Sequence, residues 1–291
     1  MALQRLAEND ELGNAAAHFF KSGNIIRGYE NDALAELKNL LPRESVNGTR
    51  VEYDVWYDMG DNNQIHGYVY TDAMAKFIYL RAAGAYHTHK IMREAAKSPI
   101  TEEGERIFQD LAKNSVDKYR LRKAKETHDF VIFLPGTNII NTALNWDKMG
   151  NAIKQGAKLK CHPITAPALV ASLKHQFGAE NILDKKLSGH QLMAEAKIVG
   201  CCENSEMGIV ALAQGKAVYL FGHGHKHLTY SALYNTIWKD NKPDVNKLKA
   251  ILSCKHSGLI PVISENPQEY IDSFFNYYKD MPHVKPRNSN S

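Results

Sequence analysis

Long apolar runs are missing from this chain. No stretch approaches the roughly 20 residues needed to span a bilayer. The N-terminal MALQRLAENDELG mixes charges of both signs where a secretory leader would carry an apolar core. No membrane span is expected, and a cytoplasmic location is. Cysteine is scarce. The four present, Cys161, Cys201, Cys202 and Cys254, have neither a disulfide nor a zinc spacing. Three of them sit in or beside apolar stretches, so buried free thiols are expected. There is no GxxxxGK[ST] loop, which argues against a P-loop ATPase. No clear GxGxxG follows a strand-like run, which argues against a dinucleotide oxidoreductase. A strong charge imbalance is absent as well. Lys plus Arg total 36 against 32 for Asp plus Glu, a formal net charge of +4. That permits a phosphate-bearing partner without demanding one.

What is present is an ordinary globular composition, 291 residues with 44% hydrophobic and 23% charged. This is enough for a sizeable core, in two domains or one large one. The rhythm changes near residue 128. Before it, residues 3–22, 31–41, 71–97 and 102–125 read as helices. RVEYDVWYD at 50–58 reads as a strand running into the turn-rich MGDNNQ. After it, short apolar runs at 128–136, 156–163, 196–205, 216–222 and 258–264 alternate with helical windows of about ten residues. Such alternation means crossover units, hence a parallel sheet with helices on both faces. The expected fold class is α/β, with a doubly wound domain over 129–265. PQEYIDSFFNYYKDM reads as a packed amphipathic helix before a frayed tail, so 266–291 stands apart.

Ligands of doubly wound domains bind beyond the carboxyl ends of the strands, and the chemistry-bearing residues fall there. His162 ends one strand-like run, just before Pro163, and can either donate to a phosphate oxygen or satisfy backbone groups at a strand-to-helix turn. Lys160 beside it supplies charge. Glu203-Asn204-Ser205-Glu206 lies between a strand and a helix whose first amides have no internal partners. Ser205 suits a phosphate or a plain helix cap, and Glu206 suits ribose hydroxyls or the helix dipole. Thr137, in the turn LPGTN, is a further candidate for a diphosphate. His223, His225 and His227 alternate with Gly224 and Lys226. A cationic loop over a nucleotide phosphate suits their place after a core strand better than a metal site, which would need a further ligand. His87 and His89, two apart on a helix, point to different sides and do not chelate together.

As an ordered set, a strand ending in His-Pro, then a strand, Asn-Ser and the helix leading into ALAQGKAVYLFG resemble the nucleotide-sugar half of GT-B glycosyltransferases. The likeness is to bacterial capsule polysaccharide transferases, including the sialic-acid and Kdo types with an HP motif. It covers about residues 129–265. It implies two Rossmann-like domains, the first (1–128) reduced, helix-rich and on the acceptor side. It also implies a nucleotide-sugar co-substrate, no redox cofactor and no metal, with His162 and Ser205 on the donor phosphate. The chain departs from the pattern at Val210, where many members carry a ribose-binding Glu, and at Ala217, where they carry Pro. Glu206 is the substitute for the ribose contact, and Asn204 and His223 complete the donor set.

An inverting reaction of this kind also needs a base for the acceptor hydroxyl. Asp61, after the strand at 50–58, is the candidate, with Asp58 and His66 behind it. Asp61 in such a loop is also an ordinary turn residue capping its own backbone. Size and the absence of an anchor favour a hydroxymethylated base in double-stranded phage DNA as acceptor. The basic run Arg120, Arg122 and Lys123 would contact its backbone. A capsule or lipopolysaccharide glycan is the alternative acceptor. A non-catalytic module that senses a sugar nucleotide is the alternative of another class.

Overall fold

The computed structural model describes residues 50–53, 68–82, 85–113, 121–136, 139–163, 165–224, 229–240 and 242–281. The helices expected over 3–22 and 31–41 lie outside the described residues. Strands are numbered in chain order. β1 (Arg50–Tyr53), β2 (Tyr68–Met74) and β3 (Phe77–Ala82) come first. β4 (Phe130–Phe133), β5 (Lys158–Lys160), β6 (Ile182–Leu183), β7 (Ile198–Cys201) and β8 (Ala217–Leu220) follow. β9 (Trp238–Lys239) and β10 (Lys242–Pro243) form a small hairpin, and β11 (Leu259–Pro261) is last. The chain divides into two compact units. Among the described residues, one holds 121–224 and the other holds 50–113 together with 229–281.

The first unit is the expected parallel sheet. Its order is β6-β5-β4-β7-β8, and every pairing is parallel. Val131, Ile132, Leu159, Val199 and Cys201 are fully buried, as a sheet covered on both faces requires. The helices start where short polar or Pro residues place them. Asn145 accepts a hydrogen bond from Lys148 N ahead of helix Trp146–Lys154. Pro167 opens helix Pro167–Phe177, and Ser188 accepts from Gln191 N ahead of helix Gly189–Glu195. Helix Met207–Ala213 links β7 to β8 and is apolar and buried almost throughout. Strand order reverses between β4 and β7, which makes the gap at their carboxyl ends the switch point.

Three expectations are corrected. The run at 258–264 does form a strand, but β11 pairs antiparallel with β3 in the other unit. The parallel sheet therefore closes with β8, and residues 229–265 do not belong to it. Its fifth strand is instead β6, two residues long and too short to be seen as a periodic run. The stretch 71–97 is not one helix. Residues 68–82 form a tight hairpin, with Met74 opposite Phe77, and helix Ala85–Ala95 follows. β3 is buried on both faces, so no alternation marks it. The turn is Ala75-Lys76, with Ala75 at φ +49°, not the Asn-Gly that usually announces such a turn. Finally, of the helix expected over 102–125, Glu102–Lys113 is helical, 114–120 lie outside the described residues, and 121–129 is irregular.

The second unit has the mixed sheet β1-β2-β3-β11. The expected amphipathic helix is present as Pro267–Lys279, burying Tyr270, Ile271, Phe274, Phe275 and Tyr278.

Candidate functional site

The sheet register brings four strand ends to one level. Phe133 stands opposite Lys160, Ile132 opposite Gly200, and Cys201 opposite Leu220. The segments that emerge next are Leu134-Pro135-Gly136, Cys161-His162-Pro163, Cys202 to Glu206, and Phe221-Gly222-His223. At the usual spacing of about 4.8 Å between strands, the His162 and Ser205 segments stand about 10 Å apart, with the end of β4 between them.

His162 is half-buried, and its carbonyl accepts a hydrogen bond from Thr165 N at 2.9 Å. That bond folds the chain over into helix Pro167–Phe177. Lys160 does not present its charge at the edge in the way expected. Its buried ammonium donates to Cys161 O at 2.7 Å and to Lys185 O at 3.0 Å. Lys185 in turn donates to Thr165 O at 2.7 Å, and partial burial lowers its pKa. The two lysines brace the carbonyls around His162. Cys161, beneath it, is buried, and burial pushes its thiol up to about 11. Cys202 is pushed up by burial as well. All four cysteines are buried and none is in a disulfide.

The turn after β7 is held by Ser205 N donating to Cys202 O at 3.1 Å. Ser205 Oγ accepts from Met207 N at 3.3 Å, a local turn bond just ahead of helix Met207–Ala213, whose N-cap residue is Glu206. Glu203 is buried with its carboxylate against Gly222. A Cβ built there would lie 1.7 Å from Glu203 Oε2. Glu206 is buried too, with Oε1 3.4 Å from His190 Nε2. Its carboxylate therefore has an imidazole beside it inside the unit. Asn204 is half-buried beside it.

His190 was not singled out from the sequence, and Glu203 was named in its segment without a role. The window LSGHQLMAEA signalled a capped helix, but a histidine near its start carried no sign of a carboxylate partner sixteen positions on. Gly222 likewise gave no sign of the acid it accommodates.

His223 is exposed, and its N–H donates to Ala143 O at 3.3 Å. His225 and His227 lie outside the described residues, as do Thr137, Asp58, Asp61, His66 and Arg120. Arg122 is not part of a basic helix face. Its N–H donates to Lys186 O at 2.9 Å, its carbonyl accepts from Ser188 N at 2.6 Å, and its guanidinium pairs with Asp184. Asp184 is held below the usual carboxylate range, first by the Lys186 N–H and then by Arg122. Lys123 is exposed. His87 and His89 are both buried in helix Ala85–Ala95, in the other unit. No described helix is long and apolar enough to cross a membrane.

No protein-family model matches the chain, and no curated protein matches it. Among solved structures it is similar to Thermosulfurimonas dismutans KpsC, beta Kdo 2,7 transferase. The identity is 16%, the TM-score is 0.42, and the match covers 79% of this chain and 86% of that one. It is also similar to Thermosulfurimonas dismutans KpsC, beta Kdo 2,4 transferase. There the identity is 10%, the TM-score 0.35 and the coverage 73% and 79%.

Proposed function

We propose that this chain is a nucleotide-sugar-dependent glycosyltransferase of the GT-B type. In this reading the donor lies along the carboxyl edge of the parallel sheet, and residues within 1–128 serve the acceptor. The observation that carries it is the alignment of the His162, Ser205 and His223 segments at one level on either side of the β4/β7 switch point. The ordered His-Pro and Asn-Ser motifs supply the donor class. In the transfer, the acceptor oxygen bonds to the sugar's anomeric carbon as the bond to the donor phosphate breaks. The electron pair leaves with the nucleotide, and negative charge grows on its phosphate. Hydrogen-bond donors fixed beforehand stabilise that charge. The His162 ring N–H and the Ser205 segment are the groups assigned to this task. Asp61 is assigned the acceptor proton.

For the acceptor we infer a hydroxyl of a capsule or lipopolysaccharide glycan. The DNA reading leaned on the basic run, and Arg122 there is committed to Asp184 and to the backbone around Lys186 and Ser188. A guanidinium so paired is a poor starting point for a phosphate-tracking groove.

The experiment is calorimetric titration of nucleoside mono- and diphosphates, followed by transfer of labelled sugar from the donors they identify. His162→Ala is expected to weaken nucleotide binding tenfold or more, since a charge-assisted hydrogen bond contributes about 1.5–3 kcal/mol. Unchanged affinity in the folded variant removes His162 from the site. Label is expected on glycan oligosaccharides and not on hydroxymethylated duplex DNA, and the reverse pattern overturns the acceptor assignment. Donor binding with no transfer to any acceptor points instead to a sugar-nucleotide sensor.

A further inference from the structure

We propose that Lys185 is a positioning residue for nucleotide binding, and that it acts on His162 by holding the Thr165 carbonyl at the far end of the His162 turn. The inference deepens the donor-site reading above and rests on it.

Lys185 stands two residues beyond β6, whose Leu183 lies opposite Lys160 in the sheet register. The turn that carries it is fixed at the backbone. Leu187 N donates to Asp184 O at 3.0 Å, Lys186 N donates to Asp184 Oδ1 at 2.9 Å, and Lys160 Nζ donates to Lys185 O at 3.0 Å. The Lys185 ammonium reaches back along the chain and donates to Thr165 O at 2.7 Å. No other described group donates to that oxygen. The neighbouring Asp184 pairs with Arg122, and no described carboxylate forms an ion pair with Lys185. A part-buried ammonium bonded to a neutral carbonyl loses hydration and gains no charge pair in exchange. Global stability is therefore a weak reason for this bond, and the turn it holds is the stronger one.

That turn is held at both ends. Thr165 N donates to His162 O at 2.9 Å, which closes a turn between the two residues. Pro163 fixes its own φ and restricts His162 before it, so the turn tilts as one piece more readily than it flexes inside. At its start Lys160 donates to Cys161 O at 2.7 Å, and Leu134 N donates to Lys160 O at 3.0 Å, which ties that end to β4. Lys185 is the side chain that holds the other end. Removing its ammonium frees that end, and the His162 ring moves with the turn that carries it. A shift of about 1 Å in a positioned group is enough to spoil a directed hydrogen bond. The helix that follows has other anchors. Leu169 and Leu173 are buried, and Trp146 stacks on Phe177, centroids 6.1 Å apart. Loss of the ammonium therefore loosens the turn and leaves helix Pro167–Phe177 seated.

The test uses the full chain with Lys185→Met, which keeps the stem and loses the ammonium, alone and combined with His162→Ala. Lys185→Arg, which keeps a cationic donor, is the rescue variant. Two quantities are read: affinity for a panel of nucleoside mono- and diphosphates, and hydrogen exchange of the Thr165 amide. K185M is expected to weaken whichever nucleotide binds the wild type by about tenfold, as H162A does, and to speed exchange at Thr165. The double variant is expected to bind within about twofold of H162A alone, because a residue that acts through His162 has nothing to add once the ring is gone. K185R is expected to restore most of the affinity. Losses that multiply in the double variant, to about a hundredfold, overturn the proposal, since Lys185 would then act on the nucleotide without His162. So does unchanged affinity or unchanged Thr165 exchange in K185M, and so does an equal loss in K185R and K185M. Should no nucleotide bind the wild type, the donor-site reading fails and takes the nucleotide role of Lys185 with it, whereas exchange at Thr165 still shows whether Lys185 holds the turn. Should K185M not fold, Lys185→Gln, one atom shorter and uncharged, takes its place with the same expected results.

Discussion

Gly222 is the tightest point of the candidate site, because the Glu203 carboxylate occupies the space a side chain would fill. Gly222→Ala is expected to push Glu203 off the end of β8, leave a buried carboxylate badly placed and lower the thermal midpoint, at a cost of about 1–3 kcal/mol. Nucleotide affinity should fall with it, since Glu203 opens the turn that carries Ser205. A variant as stable and as tight-binding as the wild type would show that Glu203 moves freely. At this scale, legibility followed chain locality. His162 and Ser205 could be picked out because Pro163, and the helix after Glu206, mark strand ends within a few residues. The burial of Lys160, the His190–Glu206 pair and the Glu203–Gly222 contact join positions far apart in the chain, and no local pattern encodes them.

At the scale of elements, hydrophobic rhythm located β4, β5, β7 and β8 and the helices between them, because each is long enough and bounded by Gly, Pro or a capping residue. It failed where burial on both faces erased alternation, as in β3, and where a strand is two residues long, as in β6. The short 3₁₀ turn Lys255–Ser257 carries a different message. Its His256 ring stacks on Tyr277 of helix Pro267–Lys279, centroids 4.2 Å apart and planes 14° apart. Partial burial lowers the His256 pKa, with the Glu94 carboxylate opposing in part. The unfolded chain therefore binds this proton at higher pH than the folded one does. Stability is present above the unfolded value of about 6.5 and is lost as pH falls through it toward the folded value. His256→Phe keeps a stacking ring without the titration. The fall in thermal midpoint between pH 7.5 and 5.5 is expected to be smaller in this variant. An identical fall would mean that other groups carry the pH dependence.

At the scale of the molecule, the unit of 50–113 is incomplete until residues 229–281 have been made. β3 takes its outer partner from β11, and Leu80 N donates to Gly258 O at 2.7 Å. Gly258 has φ +87°, and a Cβ built on it would lie 2.3 Å from Leu80 O, so this close approach requires glycine. Helix Glu102–Lys113 is held to helix Val245–Ser253 by Thr101 N donating to Ser253 Oγ at 3.0 Å and by Lys249 pairing with Glu105 at 2.8 Å. None of this follows from the change of rhythm near residue 128, which marks where the chain enters the parallel-sheet unit. An apolar strand such as Leu259-Ile260-Pro261 fits any sheet edge, and only tertiary packing chooses among them. The parallel-sheet unit, by contrast, takes all its strands from one stretch of chain. Deleting residues 254–291 removes β11 and the aromatic helix Pro267–Lys279, and with them the closure of the other unit. Hydrogen exchange in this truncated chain is expected to show lost protection over 68–113 and retained protection in β4, β5, β7 and β8. A separate unfolding transition should persist, together with whatever nucleotide binding the His162 and Ser205 segments provide. Loss of protection in both units at once would mean that the parallel sheet depends on the other unit, and that the two fold as one cooperative body.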